Sequence, residues 1–103
     1  HPILGIALGE ADEVAVRFPV AVGSTVDGST LKDLQLNIEP GFTVLAIRRG
    51  GGYVYRPRGP VRLAAGDELI ASGPEEGQVL LAAMCGWELV EDGDGEDQLV
   101  PVG

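Results

Sequence analysis

Arginine is the residue type in this chain that is best suited to binding chemistry. Five of the seven basic residues fall in one stretch, as Arg48, Arg49, Arg56, Arg58 and Arg62. A guanidinium group binds phosphate through two parallel hydrogen bonds, so two or three converging groups would form an anion site. We predict that Arg48, Arg49, Arg56 and Arg58 bind a ligand. The alternative is that they pair with the chain's own 16 acidic residues.

No catalytic or metal-binding set accompanies these arginines. The chain has one histidine, His1 at its N-terminus, and one cysteine, Cys85, which supply neither a Ser-His-Asp nor a Cys-His arrangement. The acidic run from Asp92 to Asp97 lacks the glycine and the glutamate that an EF-hand calcium loop needs at its sixth and twelfth positions. The sequence therefore predicts neither an enzyme nor a metal site.

The acidic balance of the chain limits its partners. A net charge of −9 argues against nucleic acid and anionic membranes, because both require a positive face. Lys32 is the only lysine, which suggests adaptation to a high-salt cytoplasm or, alternatively, a GC-rich genome. The sequence has no secretion signal and no run of 18 apolar residues, so we expect a cytoplasmic protein without direct membrane insertion.

Apolar patterns and turn residues predict the elements that hold the arginines. Four strands are predicted, over residues 13–22, 43–49, 53–56 and 67–72, the last three as a meander. Two helices are predicted, one from Thr30, which would cap it, to about Gln35, and one from Pro74 to about Cys85. The three glycines at 50–52 predict a tight turn between the second and third strands. The order of strand, helix, three antiparallel strands and helix predicts an α+β two-layer sandwich.

The chain is expected to hold one domain, over residues 13–87. Residues 1–12 are mildly apolar and broken by glycines, which predicts the end of an upstream element or a linker. Residues 88–103 carry a run of glycine and acidic residues, which predicts a mobile acidic tail. The alternative is that residues 98–102 add a short strand.

The second predicted helix has two apolar faces. One face carries Val79, Leu80, Ala83 and Met84 and extends toward Trp87, and the opposite face carries Leu81 and Cys85. A short helix on a small sheet buries one stripe, so the second stripe predicts a homodimer interface at Leu81 and Cys85. The alternative is that Leu81 packs under the N-terminal segment.

Four segments of the chain, in order and at matching spacing, resemble the TrkA-C (RCK C-terminal) domain family. They are Gly28–Leu36 (GSTLKDLQL), Gly41–Gly50 (GFTVLAIRRG), Tyr55–Pro57 (YRP) and Leu63–Gly73 (LAAGDELIASG). The family pattern is a G-x-T-L-x-x-L-x-L helix, a V-x-A-I-x-R strand, an isolated proline and L-x-x-G-D-x-L-x-x-x-G. The resemblance covers about residues 13–86. The leading residues HPILGIAL are similar to the last helix of the PhoU-like domain that precedes TrkA-C in some members.

The resemblance implies a cytosolic, homodimeric regulatory domain that senses a ligand for a membrane-embedded potassium channel or transporter. It implies no cofactor; the regulatory ligand is a cyclic dinucleotide in some members and a divalent or other cation in others. A phosphate-contacting role is implied for Arg58. The chain departs from the family at Gly59-Pro60, where a polar pair is more usual. A structural dimerisation module without a ligand is the alternative function.

Overall fold

The structure, a computed structural model, describes residues 13–91 and 97–102. Its elements in chain order are β1 (Glu13–Pro19), α1 (Leu31–Leu34), β2 (Thr43–Arg49), β3 (Gly52–Tyr55), β4 (Glu68–Pro74), a 3-10 turn (Glu75–Gly77), α2 (Gln78–Met84), β5 (Trp87–Glu91) and β6 (Asp97–Pro101). The predicted α+β class is confirmed. The prediction of a linker or upstream element over residues 1–12 lies outside the described residues.

The four strands β1 to β4 form one antiparallel sheet in the order β1-β4-β2-β3. Strand β4 pairs with β2 and not with β3, so the strand order differs from that of the predicted meander. The cause is the segment after β3, which crosses α1 before it returns. The backbone amide of Leu31 donates to the carbonyl of Val61 (3.0 Å), and that of Lys32 donates to the carbonyl of Gly59 (2.9 Å). After this crossing, β4 pairs with β2 on the edge opposite to β3.

The two faces of the sheet differ in burial. Phe18, Ile47 and Leu69 point to the inner face and are buried in one cluster with Leu81 and Cys85 of the second helical segment. The opposite face is called the outer face from here on. Strand register and alternation place on it Arg17, Ala46, Arg48, Tyr53, Tyr55, Glu68 and Ile70.

Helix α2 packs on the sheet with the opposite face from the predicted one. Leu81 and Cys85 are fully buried in the core of a single chain, whereas Val79 and Leu80 are 59% and 42% exposed. The backbone amide of Ala21 donates to the carbonyl of Cys85 (2.9 Å), which fixes the end of the helix against the loop after β1. The prediction of Leu81 and Cys85 as interface residues is therefore wrong. Both stripes are apolar, so the pattern alone could not tell which one faces the sheet.

The segment after α2 differs from the predicted mobile tail. Strands β5 and β6 pair in antiparallel register from Trp87↔Pro101 to Glu91↔Asp97. The indole Nε1 of Trp87 donates to the carbonyl of Pro19 (2.7 Å), and Leu89 packs against the core. Apolar residues among the acidic ones thus attach this hairpin to the domain. Residues 92–96, which carry much of the acidic run, lie outside the described residues.

Candidate ligand-binding site

A cleft of about 410 Å³ lies between α1 and the segment that crosses it. Its base is apolar, because Leu36 and Phe42 there are nearly fully buried. The lining residues are Leu31, Lys32, Gln35, Leu36, Asn37, Ile38, Phe42, Thr43, Val44, Pro57 and Gly59. A concave, mostly apolar surface of this size with a few polar groups is typical of small-molecule sites.

Local sequence sets the width of the cleft. The hydroxyl of Thr30 accepts a hydrogen bond from the amide of Asp33 (3.2 Å) and caps α1, as the sequence predicts. Gln35 ends this helix in the left-handed conformation, with φ of 49°. On the opposite wall, a Cβ on Gly59 would lie 3.1 Å from the Cβ of Lys32. Glycine at this position therefore lets the crossing segment approach α1 closely.

The electrostatics of the cleft favour an anion. Among the residues that the structure describes, Lys32 is the only charged one that lines it, and none of the lining residues carries a carboxylate. Arg58 lies between two lining residues, Pro57 and Gly59, and is exposed. It makes no side-chain hydrogen bond or ion pair with the part of the chain that the structure describes. The segment that crosses α1 belongs to residues 41–66, which carry five arginines and no acidic residue.

The structure distributes the four predicted ligand-binding arginines over separate places. Arg58 adjoins the cleft. Arg48 lies on the outer face of the sheet, and Arg56 follows β3 at the end of the hairpin. Arg49 is engaged with Asp67. The four side chains therefore do not converge on one site.

The pairing of Arg49 with Asp67 is a structural contact. Nη2 of Arg49 lies 2.6 Å from Oδ2 of Asp67, and Nε lies 3.0 Å from Oδ1. Nη2 also donates to the carbonyl of Arg62 (2.7 Å). The hydrogen bond from Arg49 lowers the pKa of the buried Asp67 carboxyl. The hydrogen bond from the amide of Ala64 also lowers this pKa, whereas burial raises it. This contact ties the end of β2 to the turn before β4.

Sequence reasoning missed Lys32, Asn37 and Ile38 at the cleft. They lie at and just after α1, and only their nearness to Pro57 and Gly59 in three dimensions marks them as a site. No group of three or more histidine, cysteine or acidic side chains among the described residues could hold a metal ion. None of the helices that the structure describes is long and apolar enough to cross a membrane.

Comparison with known proteins places these features in a family context. The model of the TrkA-C domain family matches residues 15–84. An uncharacterized transporter of Synechocystis sp., sll0640, is 39% identical over 69 residues, which are 67% of this chain and 11% of that protein. The chain therefore spans about a tenth of that curated relative.

Two solved structures share the fold. The RCK_C domain dimer of S. agalactiae BusR, in complex with c-di-AMP, has a TM-score of 0.64 at 20% identity and covers 69% of this chain and 93% of its own. The RCK C domain of the potassium transport protein KtrA, in complex with c-di-AMP, has a TM-score of 0.59 at 21% identity and covers 78% of this chain and 92% of its own. At these identities the likeness concerns the fold.

Proposed function

The chain belongs to the TrkA-C domain family, and on that premise we propose that it is the ligand-sensing regulatory domain of a potassium or other cation channel or transporter. The family is one of regulatory domains, and the curated relative is a transporter. The single observation that carries the proposal is the cleft between α1 and residues 57–59, with an apolar base and a cationic rim. We place the domain in the cytoplasm, next to a membrane-embedded partner.

The ligand that we propose for the cleft is a cyclic dinucleotide. Such a ligand combines flat bases, which an apolar surface binds, with two phosphates, which cations bind. Lys32 and Arg58 would meet the phosphates, and the side chains of Val44 and Pro57 would contact the bases. The absence of carboxylates among the lining residues favours this ligand over a divalent cation, which prefers oxygen ligands such as carboxylates.

We propose further that two copies of the chain pair across the open side of the cleft. Ile38 lines the cleft and is 69% exposed, so a second copy would remove apolar surface from water there. The similar BusR domain is described as a dimer with its ligand. A ligand that contacts both copies would bind one arrangement of the dimer more tightly than another. This difference in affinity would shift the balance between the open and closed states of the transporter.

Isothermal titration of cyclic di-AMP into the whole chain tests the ligand. We expect saturable binding that Lys32→Gln and Arg58→Gln each weaken by about tenfold, because each removes a charge-assisted contact to phosphate. Arg48→Gln is the matched control, since it removes the same charge away from the cleft, and binding should not change.

Two outcomes would contradict this proposal. Equal weakening by Arg48→Gln would mean that the charge of the chain, and not the cleft, attracts the ligand. No binding at millimolar cyclic di-AMP, together with a dimer in sedimentation equilibrium, would favour the structural dimerisation module.

A further inference from the structure

Strand β3, which forms a hairpin with β2, has one edge that pairs with no other described strand. Strand β3 lies at one end of the sheet and pairs with β2 alone among the described strands. Backbone donors and acceptors on its free side are therefore open to an added strand. Edge strands of this kind bind extended peptides by backbone hydrogen bonds, with side chains supplying specificity.

A pair of tyrosines stands next to this edge on the outer face. The rings of Tyr53 and Tyr55 are stacked, with centroids 5.6 Å apart and planes inclined by 19°. They are 44% and 72% exposed. Tyrosine and arginine supply much of the binding energy at protein interfaces, and stacked rings lose little freedom on binding. The pair thus forms a preordered apolar platform.

Two arginines adjoin the tyrosine pair, one across the strand pair and one along the chain. Arg48 lies opposite Tyr53 on β2, and Arg56 follows Tyr55; neither makes a side-chain hydrogen bond or ion pair with the described residues. Glu68, which lies opposite Arg48 on β4, and its neighbour Asp67 are already engaged. Glu68 accepts from Arg17 (2.7 Å), and Asp67 accepts from Arg49. Two cations are left free in a chain of net charge −9.

The backbone of Arg56 is a second, independent observation. Its φ is 47°, in the left-handed region that favours glycine, and it follows β3 directly. A residue held in this conformation at a cost suggests that its side chain is used. Arg56 differs from glycine by its side chain alone, and that side chain ends in a guanidinium.

We propose that the β2–β3 hairpin is a docking site for an acidic, extended segment of a protein partner, which adds to the sheet as a strand beside β3. Carboxylates of the segment meet Arg48 and Arg56, and its apolar side chains lie on Tyr53 and Tyr55. The site uses the outer face, whereas the cleft is built on α1 and residues 57–59. The inference therefore does not depend on the proposed ligand.

Charge and shape favour a peptide over other anionic partners. A nucleic acid would meet the overall negative charge of the chain, and its affinity depends on many phosphate contacts. A lipid headgroup would use the arginines but would leave the strand edge unpaired. An acidic strand satisfies the cations, the aromatic surface and the backbone groups together.

Fluorescence anisotropy of a labelled octapeptide, titrated with the whole chain, tests the proposal. Every second residue of the peptide is glutamate or valine in turn, with threonine between them, so that the glutamates and the valines share one face of the added strand. We expect saturable binding, and none for the same peptide with lysine in place of glutamate. Arg48→Gln and Arg56→Gly should weaken binding by about two- to fivefold each, as exposed ion pairs do. Arg58→Gln, a charge loss in the same stretch but off this face, should leave it unchanged.

Arg56→Gly separates binding from folding. Because glycine adopts positive φ freely, this variant should keep or raise the melting temperature while it weakens peptide binding. Retention of full affinity by Arg48→Gln and Arg56→Gly, or no binding at millimolar peptide, would overturn the proposal. Sedimentation with phosphatidylglycerol vesicles that needs both arginines, without peptide binding, would assign the face to lipid instead and also overturn it.

Discussion

The carboxylate of Asp67 holds the end of β2, the turn at Ala64 and the start of β4 together. Its two oxygens accept from Arg49 and from the amide of Ala64, and it is 4% exposed. A buried carboxylate with several donors is expensive to leave unpaired. The order of the loop that leads into β4 therefore depends on this one residue.

Asp67→Asn is expected to lower the free energy of unfolding by about 1–3 kcal/mol, because it removes the ion pair and leaves donors without a charged acceptor. Urea unfolding measures the loss. Glu68→Gln is the matched control, since its pairing with Arg17 is exposed to solvent and therefore adds little to stability. A loss from Glu68→Gln as large as that from Asp67→Asn would contradict the role of burial.

The same ion pair predicts a difference in acid stability. Arg49 lowers the pKa of Asp67 in the folded state, so the stabilisation is present above the unfolded carboxyl pKa and is lost as the pH falls through the folded value. Between about pH 5 and pH 2 the unmodified chain should lose more stability than Asp67→Asn. An equal loss of stability in both proteins would contradict this prediction, because it would mean that other carboxyl groups cause the acid unfolding.

Cys85 is expected to be inert in the folded chain. It is fully buried, and burial raises the pKa of its thiol to about 12. Because only the thiolate reacts, a disulfide reagent at about pH 8 should label it only after unfolding. If the native chain were labelled as fast as the chain in denaturant, the burial of Cys85 would be contradicted.

At the scale of single residues, the sequence indicated which side chains were candidates but not where they meet. Arg58 was placed near a phosphate site by resemblance, and the structure puts it beside the cleft. The sequence pattern does not show that Arg49 is paired and Arg48 is not, because only the fold brings Asp67 within 2.6 Å of Arg49. Lys32 gave no signal, since one lysine on a short helix is ordinary.

At the scale of elements, turn chemistry and capping were sufficient to locate most helices and strands. The cap at Thr30 and the hairpin at residues 50–52 lie where the sequence predicts them. Two features required tertiary information. The rotation of α2 depends on contacts of its C-terminal end with the loop after β1, and the position of β4 depends on the crossing over α1.

Gly73→Ala tests how closely β4 packs against the residues before β2. A Cβ there would lie 2.7 Å from Cγ of Phe42 and 2.8 Å from the carbonyl oxygen of Gly41. We expect a loss of about 1–3 kcal/mol in the free energy of unfolding, from overpacking. Gly51→Ala, with no atom within 4 Å of the new Cβ, should change little. Equal effects of the two substitutions in thermal melts would contradict this packing.

At the scale of the whole molecule, charge is distributed unevenly. Residues 41–66 carry five arginines and no acidic residue, whereas no basic residue follows Arg62. Two ion pairs are present among the described residues, so most of the acidic side chains there make no ion pair. These carboxylates repel one another. A positive region in an acidic molecule directs anions to one side.

The unpaired acids predict a salt dependence of stability. Raising KCl from about 10 mM to multimolar concentration should raise the melting temperature by about 5 °C or more, because salt screens repulsion among exposed carboxylates. Differential scanning calorimetry measures it, with sucrose as a control for solvent exclusion. Equal melting temperatures at both salt concentrations would contradict both the repulsion and the hypothesis of a high-salt cytoplasm.

The measurement that bears most directly on the proposed function is an amide-resolved NMR titration of the isotope-labelled chain with cyclic di-AMP. If the cleft binds the ligand, the largest shifts will fall on Leu31–Ile38, on Phe42–Val44 and around Arg58, while Tyr53 and the exposed face of α2 will move little. Shifts confined to the outer face of the sheet, or no shifts at millimolar ligand, would contradict a ligand-sensing role for the cleft.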